Sequence, residues 1–183
     1  IVVSGANDKI DAKKAASSLL EIEDLNVLIG QFEIPMNVTQ EVFTVAKNSG
    51  IKTILNPAPA KIPSDELLQL TDWFVPNEVE FLTITGTDAY NDENLISYAN
   101  TISSNLIVTL GENGAALVSE NSVIKISAPN VSAVDTTGAG DAFVGAFAFG
   151  IASGESPEES ISLGIQKASD SVTRTGTQSS YKA

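Results

Sequence analysis

The 183-residue chain carries 23 acidic and 10 basic side chains, a net charge of −13, and is 43% hydrophobic. This is enough apolar material for one packed domain, whereas so acidic a surface excludes nucleic acid and anionic membrane as partners, since both need a basic footprint. With no cysteine and no histidine, disulfides, thiolate nucleophiles, Cys/His metal sites and Ser-His-Asp hydrolysis are ruled out. A base must be Asp, Glu, Lys or Tyr, and a metal must be a hard, oxygen-bound ion.

The opening IVVSGAN lacks an initiator Met, and Ile1–Ser4 reads as a strand entered part-way. The chain is therefore expected to be the C-terminal portion of something longer. A turn at Gly5-Ala6-Asn7 leads to a helix over Ala12–Leu20. Asn26–Gly30 (NVLIG) is a continuous apolar run, the pattern of a strand covered on both faces. Asn37 is the expected cap of the next helix, which Gly50 closes. Ile51–Leu55 is a strand that stops at Asn56-Pro57-Ala58-Pro59, where neither helix nor central strand continues.

A short helix at Ser64–Leu70, a strand at Trp73–Val75, and helices at Glu78–Thr83 and Glu93–Ile102 follow. Leu106–Leu110 (LIVTL) reads as a buried strand. Ala115–Ser119 and Val123–Ile126 read as a hairpin turning at Glu120-Asn121. Two helices close the chain, from Gly140 to about Ala152 and from Pro157 to about Thr173. Strands alternating with helices predict an α/β domain over residues 1–183, with a mainly parallel sheet sandwiched by helices. No run approaches the length of a membrane span. In such sheets ligands sit beyond the carboxyl ends of the strands, so the loops there carry the function.

One of those loops, DTTGAGDAF (135–143), is informative. Gly138-Ala139-Gly140 strips side chains from the start of a helix, exposing unpaired N–H groups and the positive end of the helix dipole to an anion. Asp141 lies in the first turn beside that cradle and can accept a proton from a substrate hydroxyl. The amides would stabilise charge on a transferring phosphoryl group. The apolar sequence behind it, AFVGAFAFGIA, predicts a helix buried all round. Taken singly, Asp141 also fits a simple helix-start acid, Glu80 a helix-surface carboxylate and Arg174 a solvated cation. The dipeptide Gly-Lys is absent, which excludes a P-loop, and the glycine spacing does not fit a dinucleotide fingerprint.

The string DTTGAGDAF resembles the C-terminal signature of the ribokinase-like carbohydrate kinases. Pro76-Asn77-Glu78-Val79-Glu80 matches that family's Asn-x-x-Glu motif, and Thr109-Leu110-Gly111-Glu112-Asn113-Gly114 looks like its nucleotide loop. Gly5-Ala6-Asn7, Gln31-Phe32-Glu33, Asn56-Pro57-Ala58-Pro59-Ala60 and Arg174-Thr175-Gly176-Thr177-Gln178-Ser179-Ser180 are similar to its ribose-specific members.

The resemblance implies an ATP-dependent sugar kinase acting on D-ribose, with Asp141 as base and Gly138, Ala139 and Gly140 as anion hole. It implies that Glu33 and Asp141 bind the sugar. Asn77, Thr109, Gly111, Glu112, Asn113, Gly114 and Gly140 would bind the nucleotide. Asn77 and Glu80 would orient magnesium, and oxygens of Asp135, Thr137, Ser171, Arg174, Gly176 and Ser180 would bind potassium. It further implies a cytoplasmic protein whose partners are small molecules and whose full-length form is a homodimer. The family's N-terminal sugar-binding glycines and β lid have no counterpart here, so the isolated chain is expected to bind nucleotide but to phosphorylate ribose poorly. Ile165 stands where relatives often carry a polar residue near the adenine. Another carbohydrate or nucleoside kinase of the family, or a nucleotide-binding fragment without activity, remains as an alternative.

Overall fold

The computed structural model describes residues 5–119 and 121–181. The apolar runs form six strands: β1 (Val27–Gly30), β2 (Lys52–Leu55), β3 (Trp73–Phe74), β4 (Asn105–Thr109), β5 (Ala115–Ser119) and β6 (Ser122–Ile126). They make one sheet in that spatial order, with β1 to β4 parallel and β5 and β6 antiparallel. Parallel neighbours need crossovers. These are α2 (Met36–Asn48), α3 (Asp65–Gln69), and α4 (Glu78–Thr85) followed by α5 (Asp92–Ala99). Helix α1 (Ala12–Leu19) precedes β1, while α6 (Ala139–Ala152) and α7 (Pro157–Ser171) end the fold.

Alternate strand residues feed two cores. Leu55, Phe74, Leu106 and Val108 pack with Phe43, Leu67, Phe81 and Leu95 of α2 to α5. Ile54, Val75, Ile107 and Leu117 face the other way, onto Phe143 and Phe147 of α6 and Ile161 of α7. Trp73 meets Phe147 edge-on at 5.3 Å. The middle of the sheet is therefore covered on both faces, as its apolar strands require, whereas the run NVLIG, expected to be covered on both, leaves Ile29 of β1 40% exposed, and β6 is largely open. Helices α6 and α7 cross closely because Gly150 and Gly164 lack side chains at the contact. A Cβ on Gly164 would come within 2.8 Å of the Phe143 ring.

Several expectations need correction. The strand at Ile1–Ser4, and Glu120 of the hairpin turn, lie outside the described residues. Gly5–Lys9 forms a 3-10 turn. Asn37 does not cap α2: the helix begins at Met36 after Pro35, whose ring pre-sets φ at −57° and which has no N–H to satisfy. Helix α6 is not buried all round. Phe143, Val144 and Phe147 are in the core, but Phe149 is 67% exposed, because only one face of the helix meets the sheet and α7. No helix among the described residues is long and apolar enough to cross a membrane.

The topology gathers the carboxyl ends of four parallel strands at one edge. Gln31 follows β1, Asn56 follows β2, Asn77 follows β3 through a bridge to Thr109, and Thr109 ends β4. The start of α6 joins them there.

Candidate active site

Helix α6 starts on Gly138, whose φ of +80° suits glycine and whose missing side chain leaves room for the Tyr181 hydroxyl. That hydroxyl donates to the Gly138 carbonyl at 2.8 Å. The amide of Ala139 donates to Thr136 O, whereas those of Gly138, Gly140 and Asp141 have no protein acceptor among the described residues. A Cβ on Gly140 would meet nothing within 4 Å, so the approach is open. Asp141 is exposed and, with Asn56, Asn77, Glu80, Thr109 and Gly140, lines a cleft of 190 Å³. The helix start is therefore neither blocked by packing nor turned into protein.

Asp141 is held from outside its own helix. Gln31 Nε2 donates to Asp141 Oδ1 at 3.0 Å and to Asn56 Oδ1 at 3.1 Å, and Asn56 Nδ2 donates to Val75 O at 2.8 Å. Glu33, two residues beyond Gln31, is exposed and has no hydrogen-bond or ion-pair partner among the described residues.

Asn77 and Glu80 form a capping box. Asn77 Oδ1 accepts the Glu80 amide at 2.7 Å, and Glu80 Oε2 accepts the Asn77 amide at 2.8 Å. Glu80 is thus no surface carboxylate: it is 8% exposed. Burial raises its pKa, aided by the Glu78 charge and opposed by the Asn77 amide. Glu80 Oε1 and Asn77 Nδ2 carry no protein bond among the described residues, and both residues line the cleft. Gly111, Glu112 and Asn113, expected at the nucleotide, form an exposed 3-10 turn, and buried Gly114 closes it at φ +93°. A side chain there would strike the Ile126 carbonyl.

The loop before α6 is sewn to the chain's last turn. Asp135 accepts the Gly176 amide at 3.0 Å through Oδ2 and the Thr137 amide at 3.0 Å through Oδ1. These two amides and the Thr137 hydroxyl hold its pKa below the usual range. Ser171 and Ser180 are buried, each donating its hydroxyl to a nearby carbonyl, of Ala168 and Thr177 respectively. Arg174 is not a free surface cation: its guanidinium is half-buried, pairs with Asp170 and donates to Ser180 O at 2.9 Å through Nε.

Asp135 is thus bonded to Thr137 and Gly176, Arg174 to Ser180 and through its amide to Ser171 O, and the Asp135 amide links the two groups at Val172 O. They offer carboxylate, hydroxyl and carbonyl oxygens, which suit a hard cation. Among the described residues no three acidic side chains converge as a metal cluster. Ile165 is buried in the α6–α7 core and does not face the cleft.

Residues 1–183 match the pfkB family carbohydrate kinases along their whole length. The chain belongs to that family. Ribokinase of Haemophilus influenzae is 34% identical over 98% of this chain and 60% of its own length. Deoxyribokinase of Salmonella typhi is 32% identical over 99% and 61%. The solved structure of Arabidopsis thaliana ribokinase complexed with ribose and ATP superposes with a TM-score of 0.87 and 29% identity, covering 99% of this chain and 61% of that one. The chain spans about 60% of the length of the relatives it matches. The expected ribokinase-like α/β fold is thereby established.

The motifs that contain Gln31 and Asn56 give these residues no role by themselves, and no local pattern marks Tyr181. A motif marks which residues recur, whereas the bonds from Gln31 to Asp141 and from Tyr181 to Gly138 span 110 and 43 positions. No local pattern encodes such distant pairings.

Proposed function

We propose that this chain is the nucleotide-binding and proton-abstracting part of a kinase that moves the γ-phosphoryl group of ATP to a hydroxyl of D-ribose. One observation carries the proposal: the Asp141 carboxylate faces an open cleft directly beside the unpaired amides of Gly140 and Asp141. Those amides, with the dipole of α6, would hold an anion and take up charge as the phosphoryl group transfers. Asp141 would accept the sugar hydroxyl's proton as that oxygen attacks phosphorus. Without histidine the base must be a carboxylate, lysine or tyrosine, and Asp141 is a carboxylate that lies beside those amides.

Glu33 would bind the sugar beside Asp141, its carboxylate being free to accept hydroxyl donors. Thr109 and the turn of Gly111, Glu112, Asn113 and Gly114 would line the nucleotide. Asn77 and Glu80 would hold magnesium through water, and the oxygens of Asp135, Thr137, Ser171, Arg174, Gly176 and Ser180 would hold potassium. Bound there, the two cations would lower the negative charge that a triphosphate brings. The full-length protein would supply the rest of the sugar pocket and exclude water from it.

The test is ribose-dependent formation of ADP by the full-length protein, run beside deoxyribose, other pentoses and nucleosides. Turnover highest with ribose is the expected result, and preference for deoxyribose or a nucleoside would reassign the substrate within the family. For the isolated 183 residues the expectation is nucleotide binding with little turnover; robust ribose phosphorylation by them would contradict it.

A further inference from the structure

We propose that Gln31 is a positioning residue, which keeps the Asp141 carboxylate off the anion cradle of its own helix. This rests on the reading of Asp141 as base and adds to it.

An acid at the third residue of a helix has a ready alternative partner, the unpaired backbone amides one turn back. Two helices of this chain show it. In α4, Glu80 accepts the amide of Asn77, and in α7, Glu159 accepts that of Ser156 at 3.0 Å. Asp141 occupies the same third position in α6, yet it accepts from no amide of that helix among the described residues. Its Oδ1 is taken by Gln31 across the cleft. Were it to turn inward, its negative charge would fill the place where a phosphate should bind, and the cradle and the base would cancel each other.

The carboxamide's orientation is dictated by what lies behind it. Val75 O can only accept, so Asn56 must present its NH₂ to it and its oxygen to Gln31. Gln31 must then turn its own NH₂ toward Asn56, which aims the second hydrogen at Asp141. The Asn56 amide also donates to Gly30 O at 3.0 Å, fixing this residue to the end of β1. An ionised glutamate at position 31 could not donate and would repel Asp141, and methionine would match the length without the polarity. The Asp141 oxygen that Gln31 does not hold has no protein partner among the described residues, which leaves it available to a substrate hydroxyl.

The experiment uses the full-length protein with Gln31→Met and Gln31→Glu, alone and combined with Asp141→Asn. Each Gln31 variant should lower kcat about tenfold to a hundredfold, the scale on which a displacement of about 1 Å acts. The KM for ATP should rise as well, because an Asp141 turned onto the amides of α6 competes with the phosphate, and that rise should vanish in the Asp141→Asn background. In the Asp141→Asn background the Gln31 changes should have no further effect on the residual rate. A crystal structure of Gln31→Met should show Asp141 turned onto the amides of α6.

Wild-type kcat in both variants, additive losses in the double variants, or an Asp141 side chain unmoved in that crystal structure would each overturn the proposal. Turnover unaffected by Asp141→Asn alone would instead strike the assignment of the base. The two failures are therefore distinguishable.

Discussion

The starts of α4 and α6 lie on one edge of the sheet and carry an acid at the same helical position, yet they are built to opposite ends. Helix α4 opens on Asn77, whose side chain and that of Glu80 satisfy each other's amides. Helix α6 opens on Gly138, which has no side chain to offer, and its acid is drawn away to Gln31. At α4 the protein satisfies the helix end itself, so that end is a fixed wall. At α6 the amides are left for something from outside. A functional helix start is recognised by what the protein has declined to bond there, more than by the residue type of its acid.

The largest effect should come from breaking the α6 side of this contrast. Asp141→Asn in the full-length protein should lower turnover by about 10²- to 10⁴-fold, the usual contribution of a positioned base. Its thermal midpoint and its affinity for ATP should hardly move. A variant that turns over normally would place Asp141 with the ordinary helix-start acids.

Glu80→Ala breaks the α4 side. It leaves the Asn77 amide without its acceptor, and unfolding in urea without added cations should show a loss of about 1–3 kcal/mol. Unchanged stability would mean that the cap is ornamental and that Glu80 is retained for ligands.

A smaller effect should come from pH. Burial raises the folded pKa of Glu80 above its ordinary 4.5, so its contribution to stability is complete below 4.5 and is lost as pH rises through the folded value. Glu159 is the reverse. Hydrogen bonds from the Ser156 side chain and amide lower its pKa, so its contribution is present above 4.5 and is lost as pH falls through the folded value. Glu80→Gln should therefore gain stability relative to wild type as pH rises from 4.5, and Glu159→Gln should gain relative to wild type as pH falls below it. Parallel curves in urea titrations across that range would remove the distinction.

The smallest effect is expected at α7, a cap far from the chemistry. Ser156→Ala should cost about 1 kcal/mol and leave turnover unaltered. A change in kcat would show that α7 is coupled to the site.

Much of the fold was legible because backbone rules act locally. The run LIVTL forms a buried strand as its pattern predicts, NVLIG forms a strand but leaves Ile29 40% exposed, and Pro57, Pro59 and Pro76 stop chain segments wherever they stand. Boundaries slipped where two residues could serve, as at Pro35 and Asn37, since either fits a helix entrance and the surrounding packing chooses. Helix α6 misled in a different way. An all-round apolar sequence says that a helix can be buried, while Phe149 shows that burial depends on which surfaces are there to cover it.

The site divides along the same line. Sequence alone determined the side-chain-free approach to α6, the acid in its first turn, the Asn-x-x-Glu spacing of Asn77 and Glu80 and the family, because these are short-range patterns; that the pair caps α4 reciprocally with Glu80 buried came from the structure. Only the tertiary structure decided that Asp141 faces a cleft, that Gln31 and Asn56 hold it there, and that Tyr181 braces Gly138. Those contacts join residues remote in the chain, and a hydrogen bond between distant residues exists only once the sheet has brought its strand ends together.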